Sequence, residues 1–336
     1  MHSPVVLLYH RVGIDEIDSQ LLAVSPANFE SQLNALSEMR RVVPLDQLIS
    51  DASSGYFMPD TVCLTFDDGY LDNLTNALPL LEKFHLHATV FVASGMIGSK
   101  HEFWWDAMER IFLTCAPLPE FLKLNGHGKL HQLDMCSPES RLYAYEELCK
   151  YLRSISADDA YAFVESLYRW AGQQNVARPT HLAVAHSDLI KLASSPYIEI
   201  GAHGVSHGVL SLMTEDEQRH EIRQSKYTLE NIIKRQVRFF SYPYGTQASF
   251  NNVTKKILEE EGFYAGIANI QGELRNSLDR YSIPRRLVRN WPDEKFRSWM
   301  SNEDRETLEM ETSDQRMSSL ISYQYRTTYG EPAYVS

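Results

Sequence analysis

One stretch constrains the fold more than any other: Thr61-Val62-Cys63-Leu64-Thr65-Phe66-Asp67-Asp68-Gly69-Tyr70. An apolar, β-favouring run leads into two adjacent carboxylates, and the glycine after them lets the chain turn sharply. The run reads as a buried strand ending at Asp67-Asp68, with a helix starting near Tyr70. Successive strand residues alternate faces, so the two carboxylates point differently. One can then bind a cation while the other handles a proton. A capped acidic turn has the same local sequence, so the pair takes its meaning from the rest of the chain.

The rest of the chain repeats the pattern. Val5 to Tyr9 reads as a strand ending at His10. Ser25-Pro26 supplies an N-cap and first turn for a helix carrying Phe29, Leu33 and Leu36. Leu71 to Phe84 reads as one helix, with Leu74, Leu78 and Leu81 on one face and Pro79 as a kink. His87 to Val92 is the next buried strand. Strand, helix, strand in this order is the signature of βα units around a parallel sheet.

From Gly98 to about Thr180 the rhythm stops. Phe103-Trp104-Trp105 opens a mostly helical stretch without strong strand runs. We read the Trp pair as a core anchor, a sugar-stacking platform being the alternative. The rhythm resumes at Ser187. The strand Tyr197–Ile200 leads into Gly201-Ala202-His203. Thr214-Glu215-Asp216-Glu217 has capping-box form and starts a helix to about Lys234. Val237 to Ser241 is a strand ending at Tyr242-Pro243-Tyr244-Gly245, and Phe263–Ala268 and a segment from Tyr281 are two more. The expected class is α/β: a barrel over residues 1–300, a helical insertion over 98–180, and a tail over 301–336.

A hydrophobic content of 43% over 336 residues supports a sizeable core. The formal charge of −12 argues against a general nucleic-acid binder, which needs a basic footprint. Cys63, Cys115, Cys136 and Cys149 form no C-x-x-C pair, so neither a disulfide framework nor a thiolate zinc site is expected. The apolar N-terminal run is too short for a secretory signal and lacks a basic flank, and no stretch approaches membrane-spanning length. The expectation is a cytoplasmic protein, with membrane association only through a lipid-linked substrate.

His10, Asp67-Asp68, His203 with His207, Tyr242-Pro243-Tyr244 and Arg285 all fall just after expected strands. In a barrel of βα units the strand C-termini converge on one face, so the topology would gather these groups. His203 and His207, four apart, can meet on one helical face or in a tight turn, where both imidazoles bind one cation. Two histidines and one carboxylate leave positions open for water and substrate.

Thr65-Phe66-Asp67-Asp68-Gly69-Tyr70, His203-x-x-x-His207 and Tyr242-Pro243-Tyr244-Gly245, in this order, resemble the polysaccharide deacetylase family. This is the NodB-homology group, carbohydrate esterase family 4. The resemblance covers Val5–Val92 and Ser187–Val288. It implies a distorted (β/α) barrel and removal of N-acetyl groups from a sugar or glycan with a divalent metal. By matching position, Asp67 resembles the general base, and Asp68, His203 and His207 the metal ligands. Tyr244 sits where the family uses a backbone N–H in the oxyanion hole. Zinc suits two His and one Asp, with Co, Ni, Fe or Mn also compatible.

Three positions depart from the family pattern. The Arg expected shortly before Pro-Tyr is Ser241, the hydroxyl residue after the first ligand His is Gly204, and no Leu-x-His occurs late in the chain. His10 is the substitute for the acid, as in the circularly permuted branch, and Arg285, in preference to Arg286, for the missing Arg. Two other functions share these features: a deformylase or other C–N hydrolase on the same fold, and a degenerate glycan-binding barrel.

Overall fold

The computed structural model describes residues 3–54, 58–114, 116–126, 129–270, 272, 274 and 279–301. They divide into two compact units. The first lies within Met1–Ile14, Leu22–Ser99 and Leu182–Glu303, the second within Asp15–Leu21 and Lys100–His181. The 301–336 tail, apart from Ser301, falls outside the described residues.

The first unit is built on a nine-stranded sheet, all of whose pairings are parallel. The Val5–Tyr9 strand pairs with Thr61–Phe66, which pairs with Ala88–Val92. Ile198–Ala202, Phe239–Ser241 and Ala265–Ala268 follow. The last segment touches both edges. Ile267 lies opposite Ile283 on one side, and Leu7 lies opposite Arg286 on the other. The sheet therefore curls into a nearly closed (β/α) barrel, with Arg285 where the two half-strands meet. All residues of Val5–Tyr9, Thr61–Phe66 and Ala88–Val92 are buried, as both faces of a helix-covered parallel sheet must be.

Val6, Cys63, Phe91, Phe239, Ile267 and Ile283 pack in one fully buried cluster. Each such aliphatic or aromatic side chain contributes about 1.5–3 kcal/mol by leaving water. Burial also pushes the Cys63 thiol well above its ordinary pKa, so it packs as a small apolar residue. Outside the strands, Phe29 of the Pro26–Met39 helix sits edge-on to Tyr9 and Phe66 at 5.3 and 5.8 Å, locking that helix to the first strand pair. The Ser25 hydroxyl caps the helix on the Asn28 N–H.

The expected Leu71–Phe84 helix is two segments. Asn73–Ala77 is a π-helical turn, and an α-helix runs from Leu78 to Phe84. Pro79 has no N–H to give to a continuous ladder, so it occupies the first turn of a new helix, where none is needed. The His203–His207 stretch is a loop rather than a helix.

The second unit contains the helices Trp104–Leu113, Pro138–Leu152 and Ala157–Trp170. It also contains an antiparallel hairpin, Phe121–Gly126 with Lys129–Asp134, which corrects the reading of a stretch without strands. The Gly126-His127-Gly128 turn signal lies between two short runs, of which only the first has leucines at alternate positions (Leu122, Leu124), a pattern too brief to stand out beside the helices. Trp104 and Trp105 are buried, with Trp105 stacked on Phe103 at 4.6 Å. Buried rings are core anchors rather than an open platform. Glu102 and Glu109 share the guanidinium of Arg178, and Glu109 accepts the Ser19 N–H, fixing the Asp15–Leu21 segment within this unit. Among the described residues no helix is long and apolar enough to cross a membrane.

Candidate active site

Parallel register decides which side chains meet. Tyr9 lies opposite Phe66, and Val92 opposite Ala202. The residues just past these pairs, His10, Asp67-Asp68 and His203, therefore reach the same end of the barrel at the same height. Backbone hydrogen bonds extend the ladder one step: Asp67 N–H to Tyr9 O, Ala93 N–H to Asp68 O, and His203 N–H to Val92 O. Asp68, His207 and Tyr244 take left-handed backbone angles, φ +74°, +58° and +61°. These are three of the seven non-glycine residues with positive φ among those described. Each such angle costs about 1–3 kcal/mol, so the strain is concentrated where side chains must be aimed.

Asp68, His203 and His207, all buried, bring one ligand atom each within 4.8 Å of one another. The Asp68 Oδ1 stands 3.5 Å from His203 Nε2 and 3.2 Å from His207 Nε2. Two atoms each about 2.0–2.1 Å from a tetrahedral ion are roughly 3.3 Å apart, so the two Asp68–imidazole spacings match those around a first-row divalent cation. The tautomer fits as well. A carbonyl oxygen can only accept, so His203 Nδ1 donates to Ser241 O at 2.7 Å. The Nε2 lone pair then faces a carboxylate, an arrangement that needs a proton or a cation between them. Burial pulls the His203 pKa down, but the carboxylates of Asp67 and Asp68 outweigh it and the net shift is upward. Burial likewise pushes Asp68 up, while hydrogen bonds from His203 and His207 carry it net well below the usual carboxylate range. Both shifts mark a site built to hold positive charge.

Asp67 is held differently. Arg285 meets it with both terminal nitrogens, Nη1 to Oδ1 at 2.8 Å and Nη2 to Oδ2 at 2.6 Å. The same guanidinium donates to Thr65 Oγ1 (3.2 Å) and Ser241 Oγ (2.9 Å), and the Ser241 hydroxyl donates to Asp67 Oδ2 (3.2 Å). Every partner in this fork is buried. Burial raises the Asp67 pKa, but the charge and hydrogen bonds of Arg285 together with the nearby His203 and His10 outweigh it, and the carboxyl lies below its ordinary value. Arg285 and Ser241 thus both contact Asp67 in one network.

The His10 carbonyl accepts from Asn73 Nδ2 at 2.9 Å, anchoring its backbone. Its Nδ1 is buried and makes no hydrogen bond among the described residues. Burial lowers its pKa. Asp68 and Asp67 pull the other way, and Arg285 and His203 add to the lowering. The ring of Tyr244 packs edge-on against His207, centroids 4.9 Å apart. Sequence reading overlooked Thr65, a buried hydroxyl inside an otherwise apolar run. It also overlooked Glu221, a helix residue 14 positions beyond His207 whose carboxylate accepts from the loop amides of Val205 and Ser206. A cavity of about 340 Å³ elsewhere on this unit, bordered by Thr89, Tyr197, Glu199 and Arg238, contains none of these groups.

A family model described as polysaccharide deacetylase matches residues 55–114 and 146–266. The chain is 20% identical over 282 residues to the putative polysaccharide deacetylase YxkH of Bacillus subtilis strain 168, covering 83% of this chain and 69% of that protein. Among solved structures it is similar to the Streptococcus pyogenes deacetylase PplD in complex with acetate. That match has a TM-score of 0.57 and 16% identity, over 87% of this chain and 95% of that one. IcaB from Ammonifex degensii matches with TM-score 0.56 and 18% identity, over 89% and 97%. With more than half of its length matched by the family model, the chain belongs to the polysaccharide deacetylase family.

Proposed function

We propose that the protein is a metal-dependent hydrolase that removes N-acetyl groups from an N-acetylated sugar or glycan. The observation that carries the reading is the close pairing of two differently prepared carboxylates. Asp68 shares a cation-sized site with His203 and His207, and its neighbour Asp67 is kept ionised by a bidentate arginine. A divalent ion at that site, zinc being the best fit to two His and one Asp, would supply Lewis acidity toward water and the acetamide carbonyl.

The chain's own residues then divide the work. Asp67, ionised and oriented by Arg285, takes the proton of the attacking water as general base. The Tyr244 backbone N–H is assigned to the oxygen on which charge develops. His10 delivers a proton to the departing amine, so that acetate and a free amino sugar leave. Arg285 holds the base in place and stays protonated throughout. The acetate bound to PplD agrees with acetate as product.

The test is metal analysis of the purified chain together with acetate and formate detection on N-acetylglucosamine oligomers and nucleotide sugars. Acetate release that depends on metal supports the reading. Formate release would assign a deformylase, and glycan binding with neither metal nor product would assign a binding barrel.

A further inference from the structure

The three residues between His203 and His207 are held from both sides. On one side the carbonyls of Gly204 and Val205 accept from the backbone N–H groups of Ser94 (3.0 Å) and Gly95 (2.9 Å). On the other side a single carboxylate oxygen, Glu221 Oε2, accepts the N–H of Val205 at 2.8 Å and of Ser206 at 3.0 Å. Two consecutive carbonyls and two consecutive amides of one tight loop are thereby all satisfied. Glu221 is buried, on the inner face of the Glu215–Ile233 helix.

Both sides of this grip demand a glycine. Gly204 has φ +72°, and a Cβ there would stand 3.0 Å from the Glu221 oxygen. A Cβ on Gly95 would stand 2.7 Å from the Val205 carbonyl oxygen. The residue after the first histidine therefore carries no hydroxyl of its own to brace the loop. The brace comes instead from Glu221, 14 residues beyond the second histidine. The loop puts His207 at φ +58°, a conformation uncommon for a non-glycine residue.

We infer that Glu221, acting with the close approach of Gly95, is a positioning residue for the metal centre: it holds the His203–His207 loop so that both imidazoles face Asp68. This rests on the proposed metal reading and adds a residue outside the ligand set. Outer residues that orient ligands typically set metal affinity by about 10- to 100-fold.

The experiment measures zinc affinity of the full chain by chelator competition, with the melting temperature of the metal-free protein and the visible spectrum of the cobalt form alongside. Glu221→Gln keeps an accepting oxygen at the same reach and should stay within about threefold of wild type. Glu221→Asp, one methylene short, and Gly95→Ala, which pushes on the loop from the other side, should each weaken zinc by about 10- to 100-fold and alter the cobalt spectrum. A purely structural Glu221 would lower the melting temperature while leaving zinc affinity and the cobalt spectrum unchanged in Glu221→Asp, and that result overturns the inference. His203→Ala separates the two levels. Zinc binding insensitive to His203→Ala overturns the metal reading and this inference with it, whereas loss in His203→Ala with none in Glu221→Asp or Gly95→Ala overturns this inference alone.

Discussion

Replacing Arg285 with methionine keeps length and apolar volume but removes the charge that faces Asp67. In the native protein that carboxyl lies below its ordinary pKa because Arg285, by charge and hydrogen bonds, together with His203 and His10 outweighs burial. An arginine in contact lowers an aspartate by about 1–3 pKa units, worth about 1.4 kcal/mol each. Without it burial is opposed only by His203 and His10, so the Asp67 pKa rises. The acid limb of the kcat/KM profile for acetate release should therefore move to higher pH by about 1–3 units. Stability changes along with it. A depressed carboxylate stabilises the fold above its unfolded pKa, and the gain is lost as pH falls through the folded pKa. In Arg285→Met that gain is reduced or lost at neutral pH, and the gap to wild type narrows on acidification. Breaking a buried pair in this way costs about 3–5 kcal/mol. The assay is a pH–rate profile together with melting temperatures across pH in chelator. Arg285→Lys keeps charge but loses the two-pronged geometry, so its limb should fall between the two. An acid limb in Arg285→Met within about 0.3 unit of wild type would refute the reasoning, since a limb set by Asp67 must follow a 1–3 unit change in its pKa.

Asp67→Asn should retain metal at wild-type stoichiometry while turnover falls by about 10²–10⁴-fold, the usual worth of a positioned general base; retained turnover removes Asp67 from that role. His10→Ala should lose a comparable factor and with it the alkaline limb of the profile. Burial holds the His10 pKa below that of an ordinary histidine, so the wild-type limb should begin at or below that range. An alkaline limb that survives in His10→Ala assigns the acid elsewhere.

Much of the barrel was legible because parallel strands buried on both faces are near-continuous apolar runs, and Thr61–Phe66, Ala88–Val92 and Phe239–Ser241 stand out as such. The ends of those runs marked where chemistry would gather, since register carries His10, Asp67 and His203 to one level. The illegible parts share a cause, which is that they depend on three-dimensional neighbours. The π-helical turn before Pro79 is the ladder's local response to a missing donor. The Phe121–Asp134 hairpin is short and flanked by helices. Glu221 reads in sequence as one more charge on an exposed helix, and only the loop amides packed beside it reveal its work. Ser241 stood out as a missing arginine. Its own hydroxyl, bonded to both Arg285 and Asp67, became visible only once the barrel closed and brought residue 285 beside residue 67.

The central claim is that Asp68, His203 and His207 hold the ion on which acetate release depends. Its most direct test is metal content and acetate release, measured side by side on wild type, Asp68→Ala, His203→Ala and His207→Ala. The account predicts about one divalent ion per chain and metal-dependent acetate release in wild type, with both lost together in each variant and circular dichroism unchanged. Variants that keep full metal and full acetate release would contradict it.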